Sequence, residues 1–155
     1  MIFNRSGKLI RKTFNFNNIK IETVRSFKYL GLLLTPSGEI RSALKDLHDR
    51  AMKAFFKLKN SMGSEFYRHI KTTLYLLDVL IKPILLYASD YWGCLKPPHE
   101  NPIEKFHRMA CKQILGVQKQ TTNIGVLLEL GRIPLQTYAI RAAIQNWEHK
   151  NQTSK

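Results

Sequence analysis

The sequence predicts an α+β fold that is mostly α: a small N-terminal antiparallel β segment followed by a bundle of about five helices. Three observations carry this. The first 36 residues hold short apolar alternations broken by Asn17-Asn18 and by Pro36-Ser37-Gly38, which are turn chemistry. From Ile40 onward, apolar residues recur every three or four positions, the helical period. Gly63, Gly116, Gly131 and Pro134 then punctuate those periodic runs.

Taken in order, Met1 to Phe3 is apolar and reads as part of a strand. Thr13 to Phe16 and Ile19 to Val24 alternate on either side of Asn17-Asn18, residues that tolerate the positive φ of a tight turn. Phe27 to Thr35 reads as a third strand, in which Gly31 marks a bulge or a close approach by another backbone. Ser37 is placed to cap the first helix, with Glu39 in its first turn. Ile40, Leu44, Leu47, Ala51, Phe55 and Leu58 share one face of that helix, which ends near 60–63. A second helix follows Ser64, with Phe66, Ile70, Leu74, Leu77 and either Leu80 or Ile81 inward. Pro83 ends or kinks it, and ILLYASDYW is compatible with more helix beyond the kink. Pro97-Pro98 marks a loop. A third helix runs from Asn101 to Leu115, with Ile103, Phe106, Ala110 and Ile114 on one face and Gly116 as its stop. Thr121 or Thr122 caps a short fourth helix ending at Gly131. Pro134 opens a fifth through Trp147, and the tail NQTSK is expected to fray. The organisation is thus a β segment over 1–36, helices over 37–96 and helices over 97–155.

Lys and Arg number 25 against 11 Asp and Glu, a formal charge of +14. Such an excess says nothing about fold but favours a polyanionic partner. Residues 1–60 carry 13 bases and 4 acids, 61–104 carry 4 and 5, and 105–155 carry 8 and 2. The near-neutral middle is also the most apolar part, so it reads as core between two basic flanks. No run approaches the ~18 apolar residues of a spanning helix, so no membrane is expected as a partner. The amino end lacks the apolar core of a secretory signal, and two cysteines make no disulfide framework. An intracellular, reducing compartment is the expectation.

The candidate binding residues are basic and aromatic. No acid occurs from Met1 to Ile21, where Arg5, Lys8, Arg11, Lys12 and Lys20 stand; Arg5 to Lys12 reads as a loop between strands, projecting into solvent. On the first helix Asp46 is spaced to pair with Arg50 and Asp49 with Lys53, which leaves Arg41, Lys45, Lys57 and Lys59 for a polyanion. Lys105, Arg108 and Lys112 form a similar row on the third helix. Lys28 and Tyr29 complete the nucleic-acid-binding set of Lys8, Arg11, Lys12, Lys28, Tyr29, Arg41, Lys45 and Lys57. Phe27 and Tyr29 alternate on one strand face. That suits stacking on bases, but suits packing on the sheet better.

Catalytic chemistry finds little support. Cys94, His99, His107 and Cys111 are potential metal ligands, but their spacing matches no familiar zinc pattern, and Cys111 reads as a buried core thiol. No nucleophile elbow, phosphate-binding glycine loop or carboxylate pair is present, so no metal and no cofactor are expected.

Four stretches, in order, resemble one family. SFKYLGLLL (Ser26 to Leu34) resembles the primer-grip motif of non-LTR (LINE-like) retrotransposon reverse transcriptases. IRSALKDLHDRAMKAFFKLKN (Ile40 to Asn60) is similar to their first thumb helix, with RAxKA at Arg50 to Ala54. TLYLLDVLIKPILLYASDYWG (Thr73 to Gly93) resembles the thumb segment running through proline to a tyrosine and a tryptophan. FHRMACKQILGVQKQTTNIGVLLELGRIPL (Phe106 to Leu135) is similar to the stretch that follows, with ILGV and ELGRxPL. MIFNRSGK resembles the strand after the palm's lysine-bearing motif. Asp90 stands where the family often has glutamate.

The resemblance implies the end of a palm, a thumb and post-thumb helices. It implies an RNA-directed DNA polymerase lineage, with template–primer duplex held by shape and backbone. The family's Tyr/Phe-x-Asp-Asp turn has no counterpart, because the chain contains no Asp-Asp pair. No residue carries over as catalytic, and the chain is not expected to polymerise by itself. The implied partners are an RNA–DNA hybrid or other nucleic acid and the missing palm and fingers of the parent polymerase. A fragment of this kind is also expected to expose a β edge and an apolar face, and so to self-associate. Two other readings stay open: a stand-alone basic nucleic-acid-binding module, and a helical protein–protein adaptor.

Overall fold

The computed structural model describes residues 1–4, 6, 8, 10, 12–95 and 101–153. A small antiparallel β segment precedes a mostly helical remainder, as the sequence predicts, and about 59% of the chain is helical. The strands are β1 (Phe14–Phe16), β2 (Ile19–Ile21), β3 (Phe27–Tyr29) and β4 (Leu32–Leu34). They form two separate antiparallel hairpins, β1–β2 and β3–β4. The helices are α1 (Arg41–Met62), α2 (Glu65–Arg68), α3 (Ile70–Leu76), α4 (Lys82–Leu85), α5 (Ser89–Trp92), α6 (Pro102–Leu115), α7 (Asn123–Glu129) and α8 (Leu135–Thr153). The chain divides into two compact units, Met1–Asp46 and Leu47–Lys155, with the boundary inside α1.

In the first unit, Asn17 and Asn18 take φ of 47° and 61°, the two-residue turn the sequence signals. The expected third strand is instead a second hairpin. Leu30 and Gly31 take φ of 45° and 86°, which folds Leu32–Leu34 back onto Phe27–Tyr29. Gly31 is therefore a turn residue rather than a bulge, and its freedom at positive φ is what the turn requires. Met1 to Phe3 forms no strand; the neighbouring Asn4 N–H donates to the Pro36 carbonyl at 2.8 Å. Ser37 does not cap α1. Its Oγ accepts from Glu39 N–H at 3.3 Å, inside a turn closed by Gly38 N–H to the Thr35 carbonyl at 3.0 Å, and α1 begins only at Arg41.

In the second unit, Ala51, Phe55, Phe66, Phe106, Trp92, Ile81, Leu85, Ile103 and Ile114 are buried. Phe55 stands edge-on to Phe66 and to Phe106, each at 5.7 Å between ring centres. Burying each large side chain of this kind is worth about 1.5–3 kcal/mol, so this apolar set holds the helices together.

The expected second helix is interrupted twice. His69 leaves helical geometry at φ −111° and ψ 69°, and the buried Thr73 hydroxyl donates to the Phe66 carbonyl there at 3.0 Å. Leu77–Ile81 then winds as π-helix before α4 resumes through Pro83. Proline offers no N–H to the preceding turn, and the wider winding upstream lets the helix pass through it without ending. Of the alternatives Leu80 and Ile81, Ile81 is buried and Leu80 is half exposed. α6 matches the predicted third helix: Asn101 Oδ1 accepts from Ile103 N–H at 3.0 Å, and Gly116 at φ 67° closes the far end. α8 continues past Trp147 to Thr153, so the tail is helical further than expected.

Candidate nucleic-acid interface

The predicted binding residues fall in both units. In the first unit, Lys8 and Lys12 are exposed ahead of β1, and no strand precedes β1 among the described residues. Arg11 and Arg5 lie outside the described residues. Lys28 and Tyr29 are neighbours on β3 and therefore point to opposite faces. Tyr29 lies across from Leu32 and Lys28 across from Leu33. Lys28 Nζ sits 3.7 Å from an Asp46 carboxylate oxygen, so Lys28 serves an ion pair of its own unit as well as solvent. Phe27 and Tyr29 are 51% and 58% exposed. The packing reading of these rings is thus not what the structure shows: their face is open.

On α1, Arg41 is not left over for a polyanion, since its Nε lies 3.4 Å from Glu39 Oε1. That pair is solvent-exposed on both sides and worth little, so it competes weakly with a phosphate. Lys45, one turn on, is exposed and makes no ion pair among the described residues. In the second unit Lys53 and Lys57, also one turn apart, are likewise exposed and unpaired among the described residues. Asp49 does not pair with Lys53; it meets His48 Nδ1 at 2.9 Å. Lys59 is withdrawn from the set altogether. Its ammonium donates to Gln113 Oε1 at 3.1 Å and lies 5.4 Å from the Tyr67 ring centre, which makes it a packing contact of α1 with α6. On α6, Lys112 Nζ donates to the Lys119 carbonyl at 2.7 Å. The row expected there is therefore partly spent on holding a loop.

A polar cluster that sequence reasoning did not assemble lies inside the second unit. Arg132 Nη1 hydrogen-bonds Asp78 Oδ1, and Arg132 Nη2 reaches the Leu74 carbonyl at 3.4 Å. Lys82 Nζ stands 4.0 Å from the same Asp78 oxygen and 3.5 Å from the Tyr138 ring centre. His107 is buried beside them, and neither ring nitrogen has a hydrogen-bond partner among the described residues. Burial first, then the Arg132 and Lys82 charges, bring its pKa down to about 4, so the ring is neutral. Burial also pushes the Cys111 thiol up to about 11, which keeps it protonated and unreactive. The available signal was the i,i+4 spacing of Asp78 and Lys82 in an otherwise apolar run. Nothing in the sequence indicated that Arg132, some fifty residues on, would close the cluster.

Among the described residues, no group of three or more His, Cys, Asp and Glu is arranged to hold a metal ion; His99 lies outside them. No helix of the described residues is long and apolar enough to cross a membrane. Glu104 Oε1 accepts from Gln136 N–H at 2.7 Å and so serves the start of α8, while its carboxyl is raised in pKa chiefly by burial. The arrangement can therefore attract phosphates through exposed lysines, while the Arg132–Asp78 and Glu104–Gln136 contacts join separate segments of the second unit. Against known proteins, the chain matches no family model, no curated sequence and no solved structure.

Proposed function

We propose that this chain is a nucleic-acid-binding fragment of a non-LTR retrotransposon RNA-directed DNA polymerase. It acts inside the cell, holds template–primer duplex and performs no synthesis by itself. The observation that carries the binding is a set of exposed lysines without a carboxylate partner among the described residues, Lys8, Lys12, Lys45 and Lys57, in a chain of net charge +14. The ordered sequence resemblance supports the lineage, and the lack of an Asp-Asp pair supports the loss of catalysis.

Phosphate contacts of this kind release counterions, so affinity falls steeply with salt. Four contacts predict a fall of about a hundred-fold in affinity for an RNA–DNA hybrid between about 50 and 200 mM salt. Changing the four lysines to alanine should flatten that slope. An absence of binding at low salt, or a binding constant indifferent to salt, would overturn the reading. It would favour the helical protein–protein adaptor instead, for which the exposed apolar hairpin faces speak.

A further inference from the structure

The hairpin β1–β2 has an organised surface that a basic patch alone does not explain. Its register pairs Phe14 with Ile21 and Phe16 with Ile19. Because side chains alternate across a strand, these four share one face, and Asn15 and Lys20 share the other. The apolar face is bare: Phe14 is 46% exposed, Phe16 67%, Ile19 70% and Ile21 48%. Every residue of both strands is exposed, whereas β4 of the neighbouring hairpin is half covered. A two-stranded hairpin gains little stability alone in water, and two adjacent phenylalanines on its open face ask for a partner.

Charge decides which partner. The unit Met1–Asp46 carries nine bases and three acids. A second copy would bring the same excess to the contact and be repelled, while a polyanion is drawn in. The partner must also present flat apolar surface to Phe14 and Phe16. Double-stranded nucleic acid hides its base faces in its own stack, whereas unpaired nucleotides offer a π-face at every base together with a phosphate. Lys12, two residues before Phe14, is exposed to meet those phosphates, and Lys20 adds its charge from the opposite face of the hairpin.

We infer that the Phe14–Phe16 face of the β1–β2 hairpin is a stacking platform for unpaired nucleotides, making this unit a single-strand or overhang binder. The inference rests on the nucleic-acid reading above and adds to it a site for unpaired strand. Each ring takes one base, so the platform prefers no particular sequence.

The test compares three probes of equal phosphate number at one salt concentration: a single-stranded oligonucleotide, the same strand with abasic sites, and a fully paired duplex. The single strand should bind at least ten-fold more tightly than its abasic counterpart. Phe14→Ala with Phe16→Ala should remove that advantage and leave duplex affinity within two-fold. Phe14→Trp with Phe16→Trp should preserve it, which a role in folding alone would not predict. Equal affinity for intact and abasic strands would overturn the platform while leaving the duplex-binding reading standing. No binding to any of the three probes would overturn both. Binding to vesicles of anionic phospholipid that the alanine pair abolishes, with the probe ranking unchanged, would reassign the face to a membrane and end the inference.

Discussion

Buried His107 makes the stability of the helical unit depend on pH. The ring is 3% exposed, and its Nδ1 lies 4.0 Å from Glu104 Oε2, too far for a hydrogen bond. Burial first, then Arg132, Lys82 and Arg108, lower its pKa to about 4 from 6.5, and Asp78 pulls the other way. The unfolded chain therefore takes up a proton before the folded one as pH falls. The stability owed to the neutral ring is complete above about pH 6.5 and is lost progressively down to about pH 4, a total of about 3 kcal/mol. Glu104 works in the opposite sense. Its carboxyl is raised from 4.5, so the folded state takes up that proton first and regains part of the loss in the acid range. Urea midpoints measured from pH 7 to pH 4 should fall for the native chain. They should fall clearly less for His107→Leu, which also removes two unpaired buried nitrogens. Equal slopes would show that another group sets the pH response.

At the scale of elements, the crossing of α5 and α8 depends on a missing side chain. A Cβ at Gly93 would overlap the Ala139 carbonyl oxygen and lie 2.5 Å from its carbon, so backbone meets backbone at this point. Ala139 and Ala143 continue the small, buried surface along α8. Gly93→Ala should cost about 3 kcal/mol, because neither chain can yield as a flexible side chain would. Five residues upstream the opposite change should help. Ala88 holds φ 54° and ψ 28°, a left-handed conformation in which a Cβ is strained. Ala88→Gly should stabilise by about 1 kcal/mol, relief of the strain outweighing the added freedom of the unfolded chain. Chemical denaturation of the two variants checks both signs together. Legibility differed from element to element. α6 was readable because its cap, its stripe and its glycine stop all lie within one local stretch. The break at His69 and the π-turn before Pro83 were not, because apolar spacing is nearly the same for one long helix as for three short ones.

For the whole molecule, two forces of opposite salt dependence meet. Net charge of +14 repels like copies at low ionic strength, and the open hairpin faces attract them once that charge is screened. Sedimentation should find a single species at about 50 mM salt and growing association towards about 1 M, where screening acts within a few ångströms. Nucleic-acid binding should weaken over the same range. A chain that stays monomeric at high salt would show that its exposed apolar faces are not adhesive. At this scale the candidate site was half legible. Counting bases located the charge, but Arg41 and Lys28 meet Glu39 and Asp46, and Lys59 lies against Tyr67. Those pairings are decided by where side chains end, which a one-dimensional spacing does not contain.

Charge, the helical stripes of α1 and α6, the Asn17-Asn18 turn and the lack of an Asp-Asp pair were determined by the sequence alone. Each is a local property: a count, a period or a two-residue conformational preference. Tertiary structure alone decided that SFKYLGLLL is a hairpin turning at Leu30-Gly31, that its aromatics face solvent, and that Arg132 closes on Asp78. These depend on which surface reaches which, and burial is a property of the assembled molecule rather than of any segment.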